Sequence, residues 1–231
     1  MNTAQQLQDL LQLRTAPVAL AFQDAPPTNL PHMAAPAPSG CTFWKRAAAG
    51  QAFYTEDSDH YNCPIGAYTH GADLPPAKAK ELQGVLETMF QLSYLRPEEV
   101  PGIPRQGKFG VAVYAPLATA PFVPEVVLVC GNAKQIMLLT EAAQAAGAGA
   151  GAPLMGRPTC AAVPTVLQTQ HSAASLGCIG NRVYTEMGDD ELYFALPGGQ
   201  LGRVVEKLAA IVNANRELEK YHRVKLATIG V

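Results

Sequence analysis

PEVVLVCGNAKQIMLLTEAAQAAG, residues 124–147, joins an apolar run to a helix signal without a loop between them. The run VVLV predicts a buried strand, because β-branched residues favour strands. Asn132 has the side chain of a helix N-cap, and Gly147 is typical of the position just past a helix end. A strand that leads directly into a helix predicts a fold with both elements, an α/β or α+β sheet-and-helix sandwich.

The same pattern extends outward along the chain. Three further apolar segments predict strands, and three segments with helical periodicity predict helices. The predicted strands are APVALAF (16–22), KFGVAVYAPL (108–117) and ELYFALPG (191–198). The predicted helices are a short one at the N-terminus, an amphipathic one in residues 78–95 and a long one in residues 199–224 that breaks or frays near residues 213–215.

Composition limits the classes of protein to consider. The chain has 231 residues, of which 48% are hydrophobic and 16% charged, so it can bury one large core; we expect a single domain over residues 1–231. The net charge of −2 argues against nucleic acid or an anionic membrane as a partner. The N-terminus lacks the pattern of a signal peptide, and no apolar run suffices to cross a bilayer, so we expect a cytoplasmic protein.

Two short stretches resemble each other. NCPIGAYTHG (62–71) and GCIGNRVYT (177–185) each have a cysteine followed by Ile-Gly and then by a threonine. A second cysteine precedes each stretch. Cys41 lies 22 positions before Cys63, and Cys160 lies 18 positions before Cys178. This similarity predicts an internal duplication, with pseudo-symmetric halves at residues 1–105 and 106–231.

Four cysteines in two pairs suit an iron–sulfur cluster, because thiolates are soft donors that bind iron or zinc in sets of four. We therefore predict a 4Fe-4S cluster, with zinc as the alternative. The predicted metal ligands are Cys41, Cys63, Cys160 and Cys178. The residues expected to shape the loops around the cofactor or to offset its charge are Gly40, Gly66, Gly177, Gly180 and Arg182.

The residues leave other interpretations open. Free cysteines often fill a core as small apolar side chains, and Cys130, at the end of a strand, is expected to do so. His60 and His70 lie close to Cys63 in sequence and would suit a metal site, or the general base of a thiol-dependent enzyme. Alternatively, His60 and His70 cap turns or form hydrogen bonds to the backbone, with no role in a site. Whether the chain is an enzyme stays open at this point.

Four segments together resemble the prokaryotic family called domain of unknown function 169, or uncharacterised ArCR. They are LQLRTAPVAL (11–20), SGCTFWKRAAAGQAFYTEDSDHYNCPIGAYTHG (39–71), PEVVLVCGNAKQIMLLTEAA (124–143) and SLGCIGNRVYTEMGDDELYFALPG (175–198). The resemblance covers nearly the whole chain and is most specific around the cysteines. It implies cysteines at the four positions predicted as ligands, and it implies no particular reaction.

These observations predict an iron–sulfur protein for electron transfer or redox sensing, with a redox partner protein. The first alternative is a thiol-dependent enzyme or small-ligand binder with a Cys/His pocket. The second is an interaction protein with a structural zinc site. An apolar helix face, if exposed, would suggest a homodimer.

Overall fold

The protein is described here by a computed structural model that covers residues 2–33, 35–149 and 158–229. Within these ranges the chain forms six strands and eight α-helices. The strands are β1 (Val18–Gln23), β2 (Phe53–Thr55), β3 (Val111–Pro116), β4 (Val126–Asn132), β5 (Ala173–Ser175) and β6 (Glu191–Pro197). The helices are α1 (Thr3–Leu11), α2 (Gly40–Ala48), α3 (Pro64–Thr69), α4 (Pro76–Gln91), α5 (Ala133–Ala145), α6 (Ala162–Thr169), α7 (Ile179–Thr185) and α8 (Leu201–Ile229).

All six strands belong to one antiparallel sheet with the order β2-β3-β1-β4-β6-β5. The central strands β1 and β4 pair through Leu20 and Val126, and the two three-residue strands lie at the edges. An antiparallel sheet combined with helices makes the fold α+β, the second of the two predicted classes.

Side chains of successive strand residues point to opposite faces of the sheet, and helices cover both faces. In β4, Leu128 packs in a core with α2 and α6, whereas Val127 and Val129 pack in a second core with α1, α5 and α8. This alternation explains why the predicted strand VVLV is apolar at every position, since neither of its faces reaches water. The predicted sandwich is thus confirmed, and the functional candidates lie on the α2–α6 face.

The segment that predicts the fold behaves as expected. Asn132 caps α5 by accepting a hydrogen bond from the Gln135 N–H at 3.0 Å, and the Gln135 side chain accepts one from the Asn132 N–H at 2.8 Å. Gly147 follows the helix end with a φ of +80°, a conformation that other residues rarely adopt.

Two expectations about the organisation of the chain are not met. The last helix does not break near residues 213–215, because α8 continues to Ile229; the Asn215 side chain donates to the Ile211 carbonyl at 3.0 Å and leaves the helix backbone intact. The internal duplication is not confirmed either. A boundary at residue 105 would separate β3 from β1 and β2, the two strands to which it is hydrogen-bonded.

Helix α4 differs from the others in its burial. The helix is amphipathic as predicted, but none of its residues is fully buried. It packs beside α3, at the edge of the α2–α6 face. None of the helices in the described part of the chain has the length and apolarity that crossing a bilayer requires.

Candidate functional site

Four elements on one face of the sheet bring the four predicted cysteines together. Cys41 lies in the first turn of α2, and Cys63 immediately precedes α3. Cys160 lies in a 3₁₀ turn before α6, and Cys178 immediately precedes α7. Each of these thiols is within electrostatic range of the other three. We call the four residues the thiol cluster.

Gly66 provides the clearest measure of how closely two of these sulfurs approach each other. A Cβ atom built on Gly66 would lie 3.3 Å from Cys63 Sγ and 4.0 Å from Cys160 Sγ, so both sulfurs border the same small volume. The Thr69 hydroxyl lies 2.9 Å from Cys160 Sγ and at a similar distance from the carbonyl oxygens of Ile65 and Gly66 in its own helix. Helix α3 therefore contacts two thiols that are 97 positions apart in sequence.

The thiol cluster has an inner and an outer part. The side chains of Cys41 and Cys160 are 6% and 5% exposed, whereas those of Cys63 and Cys178 are half-buried. Next to Cys178, the side chains of Ile179 and Val183 are 70% and 65% exposed. A molecule in solution would thus meet the outer thiols first.

Burial keeps the inner thiols protonated at neutral pH. It raises the pKa of Cys41 to about 12, although interaction with the Asn181 amide lowers that pKa in part. The pKa of Cys160 is raised well above its usual value, mainly by burial and then by Cys41 and Cys63. Burial also raises the pKa of Cys63. The resting state of the site is therefore largely made of neutral thiols.

The predicted iron–sulfur function is wrong. Across residues 2–33, 35–149 and 158–229, no set of three or more histidine, cysteine, aspartate or glutamate side chains is placed so that it could hold a metal ion. Sets of three or four ligands are what iron–sulfur clusters and structural zinc sites require. The same finding overturns the alternative of a structural zinc site.

The four predicted glycines have different surroundings. Gly66 borders two sulfurs, but a Cβ on Gly40 would lie 3.3 Å from His60 Nδ1, so Gly40 borders imidazoles. Gly177 has a φ of +81°, which allows the turn that precedes Cys178. Gly180 has Tyr184 as its nearest neighbour, with its would-be Cβ 3.6 Å from the ring. A role in binding a cofactor stays a prediction for all four.

Arg182 is engaged by the backbone. Its guanidinium donates hydrogen bonds to the carbonyl oxygens of Leu176 at 2.5 Å and Gly188 at 2.9 Å, and a longer one to that of Glu191 at 3.3 Å. These contacts hold the segments before and after α7, and the first residue of β6, against the helix. Its expected role in offsetting the charge of thiolates stays a prediction.

The two candidate histidines are fully buried, with His60 1% and His70 0% exposed. His60 Nε2 lies 2.9 Å from the Thr55 hydroxyl. Burial lowers the pKa of His60 to about 3, assisted by His70, and lowers that of His70 to about 4. Both rings are neutral at physiological pH, and proton acceptance by either one is weak.

Cys130 lies apart from the thiol cluster. It is half-buried on β4 and packs against the core of the α2–α6 face. Burial raises its pKa to about 12; the charge of Glu191 raises this pKa further, and that of Arg14 lowers it.

Three polar residues that the sequence patterns did not single out contact the cysteines. They are Thr69, which bonds to Cys160; Asn181, which faces Cys41; and Thr159, whose hydroxyl accepts a hydrogen bond from the Cys178 N–H at 2.6 Å. Each lies within three positions of a predicted cysteine or histidine, but only the fold shows which partner it meets.

A family model described as uncharacterised ArCR, domain of unknown function 169, matches residues 6–207. The chain belongs to this family. The match includes all four residues of the thiol cluster and ends within α8. No curated protein and no solved structure matches the chain. Membership of domain of unknown function 169 therefore confirms the predicted resemblance, and the chemistry of the site has to be argued from its geometry.

Proposed function

We propose that this chain is a metal-free redox protein whose clustered thiols are reversibly oxidised to disulfides. The observation that carries the proposal is the convergence of four cysteines from four separate elements, two of them reachable from solvent and two behind them. Reversible disulfide formation requires such proximity between thiols.

The outer thiol Cys178 is the first to react in this proposal. It lies beside the exposed side chains of Ile179 and Val183, where a partner protein has access. Cys63, the other outer thiol, has α4 near it, and burial raises its pKa so that it keeps its proton at neutral pH.

The exchange uses a disulfide on the partner protein as the oxidant. The Cys178 thiolate attacks one partner sulfur, which forms a mixed disulfide and releases the other partner sulfur as a thiolate. A second thiol of the cluster then gives up its proton to the released partner thiolate, attacks Cys178 Sγ and displaces the partner. Two electrons have passed to the partner, which leaves as a dithiol with the two protons that the cluster has lost.

Two further expectations belong to this proposal. A cytoplasmic location suits it, because reducing conditions there return the disulfides to thiols. A homodimer is supported by the second half of α8, where Leu218, Tyr221 and Val224 are more than half exposed. Sedimentation measurements at several protein concentrations test the homodimer separately from the redox reaction.

The experiment that tests the proposed function is a redox titration. Reduced protein is equilibrated with mixtures of reduced and oxidised glutathione, and its free thiols are alkylated and counted by mass spectrometry. We expect thiols of the cluster to be lost in pairs while Cys130 remains free. Cys178→Ser should slow the first loss, and Cys130→Ser is the matched control that should leave it unchanged. The proposal fails if the cluster stays reduced at every potential at which glutathione is oxidised.

A further inference from the structure

Asn181 is a polar side chain enclosed beside the thiol cluster. It is the third residue of α7, and its side chain is 1% exposed. The Cys41 thiol and the Tyr193 hydroxyl lie close to its amide, but neither amide atom has a partner in hydrogen-bond geometry among the described residues. Buried polar atoms of native proteins are almost always hydrogen-bonded, because leaving one unpaired costs its desolvation free energy. This exception indicates that the amide serves a state of the protein other than the resting one.

The Asn181 amide lies next to two cysteines of the thiol cluster. Cys178 is the N-cap residue of α7, and the side chains of an N-cap residue and of the third helical residue lie on the same side of a helix start. A Cβ atom on Gly177 would lie 3.1 Å from Asn181 Oδ1, so the amide borders the turn that holds Cys178. Helix α7 also packs against α2, whose first turn contains Cys41. The amide thus lies where α7, Cys41 and Cys178 meet.

The charge of the Cys41 sulfur explains why the amide is unpaired in the resting protein. Burial raises the pKa of Cys41 to about 12, so the resting thiol is neutral, and a neutral sulfur is a weak hydrogen-bond acceptor. Of the groups that lower this pKa, Asn181 has the largest effect. A thiolate would accept a charge-assisted hydrogen bond, which is roughly twice as strong as a neutral one. The Asn181 N–H therefore stabilises the charged sulfur more than the neutral one.

We propose that Cys41 is the thiol that attacks Cys178 in the second step of the exchange, and that the Asn181 amide N–H binds the Cys41 sulfur during this attack. The inference rests on the proposed thiol function, which leaves the attacking thiol of that step unassigned. An interaction made only with the charged, attacking form of a group lowers the barrier of the step.

The other two cysteines then form the second pair. Cys63 and Cys160 both border the small volume beside Gly66, on the α3 side of the thiol cluster. Each pair joins an outer thiol to an inner one, since Cys63 and Cys178 are half-buried and Cys41 and Cys160 are buried. The fully oxidised protein has one disulfide at α7 and one at α3, and it has given up four electrons.

The assigned step balances in atoms and electrons. A mixed disulfide joins Cys178 Sγ to the partner, whose other sulfur has left as a thiolate. This thiolate takes the proton of Cys41, and Cys41 Sγ attacks Cys178 Sγ while the Asn181 N–H donates to it. The bond between Cys178 and the partner breaks as the bond between the two cysteines forms. Its electron pair leaves with the partner sulfur, which takes up the proton that Cys178 lost at the start.

The test follows the decay of a mixed disulfide, with oxidised glutathione as the probe. Reduced protein is mixed with the probe and quenched in acid at timed points, and glutathione on Cys178 is measured by mass spectrometry. We expect the adduct to be short-lived in wild type and in Cys160→Ser, and to remain in Cys41→Ser. In Asn181→Leu its decay should slow about tenfold or more, because the charge-assisted hydrogen bond is lost.

Urea unfolding of the reduced proteins separates a role in the attack from a role in the fold. Leucine has the branched shape of asparagine without the amide, so Asn181→Leu removes two unpaired buried polar atoms and should be at least as stable as wild type. Asn215→Leu, on α8 at the other face of the sheet, is the matched control and should leave the decay unchanged. Slow decay in a destabilised Asn181→Leu would assign the residue to the fold and overturn its role in the attack.

The remaining outcomes separate this inference from the function on which it rests. An adduct that decays equally fast in Asn181→Leu and wild type overturns the role of the amide, and one that decays normally in Cys41→Ser overturns the assignment of Cys41. The thiol function stands in both cases. If no disulfide forms within wild type, the function and the inference are both overturned. Should Asn181→Leu fail to fold, Cys41→Ser and Cys160→Ser still decide which thiol attacks.

Discussion

Gly66 is the residue on which the spacing of two thiols most directly depends. In Gly66→Ala the new methyl group lies 3.3 Å from Cys63 Sγ, which has to shift by a few tenths of an ångström, and in ordinary contact with Cys160 Sγ at 4.0 Å. We expect disulfide formation between Cys63 and Cys160 to slow about tenfold or more. The stability of the reduced protein should change little, since alanine favours the helix by about 0.5–1 kcal/mol and crowding offsets this gain. Timed alkylation with peptide mapping measures the rate.

Gly180→Ala is the matched control for this variant. Gly180 also follows a cysteine of the thiol cluster within a short helix, but its nearest neighbour would be 3.6 Å away, an ordinary contact. Oxidation should proceed in Gly180→Ala as in wild type. Equal rates in the two variants would mean that Gly66 does not set the spacing of the sulfurs.

Thr69 gives a second prediction at the scale of single residues. Thr69→Val keeps the shape of the side chain but removes the hydroxyl that contacts Cys160 Sγ and the Ile65 and Gly66 carbonyl oxygens. We expect a loss of about 1 kcal/mol in the free energy of unfolding under reducing conditions, because a buried hydrogen bond is lost. Urea denaturation measures this loss.

Thr140→Val is the control for Thr69→Val, since the Thr140 hydroxyl also bonds to a carbonyl of its own helix, that of Ile136, and has no cysteine among its hydrogen-bond partners in the described residues. Its effect should be smaller, and it should leave the reactivity of Cys160 unchanged. If Thr69→Val also leaves Cys160 alkylation unchanged, the hydrogen bond to the sulfur has no chemical role.

The sequence was informative about which residues cluster but not about their neighbours. The repeated Cys-Ile-Gly context of Cys63 and Cys178 correctly suggested that distant thiols meet. The same reasoning assigned Gly40 to the surroundings of a cofactor, whereas the fold places it against His60 and His70. Such contacts join side chains from different elements, so no local pattern in the chain records them.

At the scale of elements, the capping of α5 can be tested by mutation. Asn132→Ala removes the acceptor for the Gln135 N–H and breaks the reciprocal pair of hydrogen bonds at the start of the helix. We expect it to cost about 1 kcal/mol of stability, within the usual range for such caps. Thermal or urea unfolding measures the cost.

Asn2→Ala is the comparison for Asn132→Ala, because Asn2 caps α1 with a single side-chain acceptor, for the Gln5 N–H at 2.8 Å. A one-sided cap at an exposed helix start should matter less. A larger loss in Asn2→Ala than in Asn132→Ala would contradict the importance given to the reciprocal pair.

Local sequence signals predicted most helices and strands. They failed where contacts between distant residues determine whether a helix continues. The strand and cap in residues 124–147 were recognised because propensity, burial and turn chemistry agree there. The predicted break in α8 rested on the low helix propensity of two asparagines. Asn215 instead bonds to the Ile211 carbonyl and approaches Glu141 of α5, so its side chain is used within the packed helix pair.

At the scale of the whole molecule, the main correction concerns metal binding. Sequence spacing predicted correctly that the four cysteines converge, but convergence does not by itself make a metal site. Within the part of the chain that the structure describes, no three potential ligands have the placement that a metal requires.

The buried thiols predict how stability depends on pH. The pKa of Cys41 is about 12 in the folded protein and 9.0 without burial, so its contribution is complete below pH 9. Above pH 9 the unfolded chain loses this proton while the folded protein keeps it, and stability falls by about 1.4 kcal/mol per pH unit for each such thiol. Urea unfolding with a reductant at pH 8, 9 and 10 measures the slope.

Cys41→Ser tests whether this residue causes the slope, because serine does not titrate in that range. The variant should lose stability more slowly than wild type between pH 9 and 10. Parallel slopes in the two proteins would show that the Cys41 proton is not linked to folding.

The most direct test of the central claim is a disulfide map of the oxidised protein. Reduced protein free of metal is oxidised with excess oxidised glutathione, digested under acidic conditions and analysed by mass spectrometry. We predict disulfides that link cysteines of the thiol cluster to one another, including pairs from opposite ends of the chain such as Cys63 with Cys160, and no disulfide to Cys130. Glutathione attached to isolated cysteines, without any bond between members of the cluster, would contradict the account.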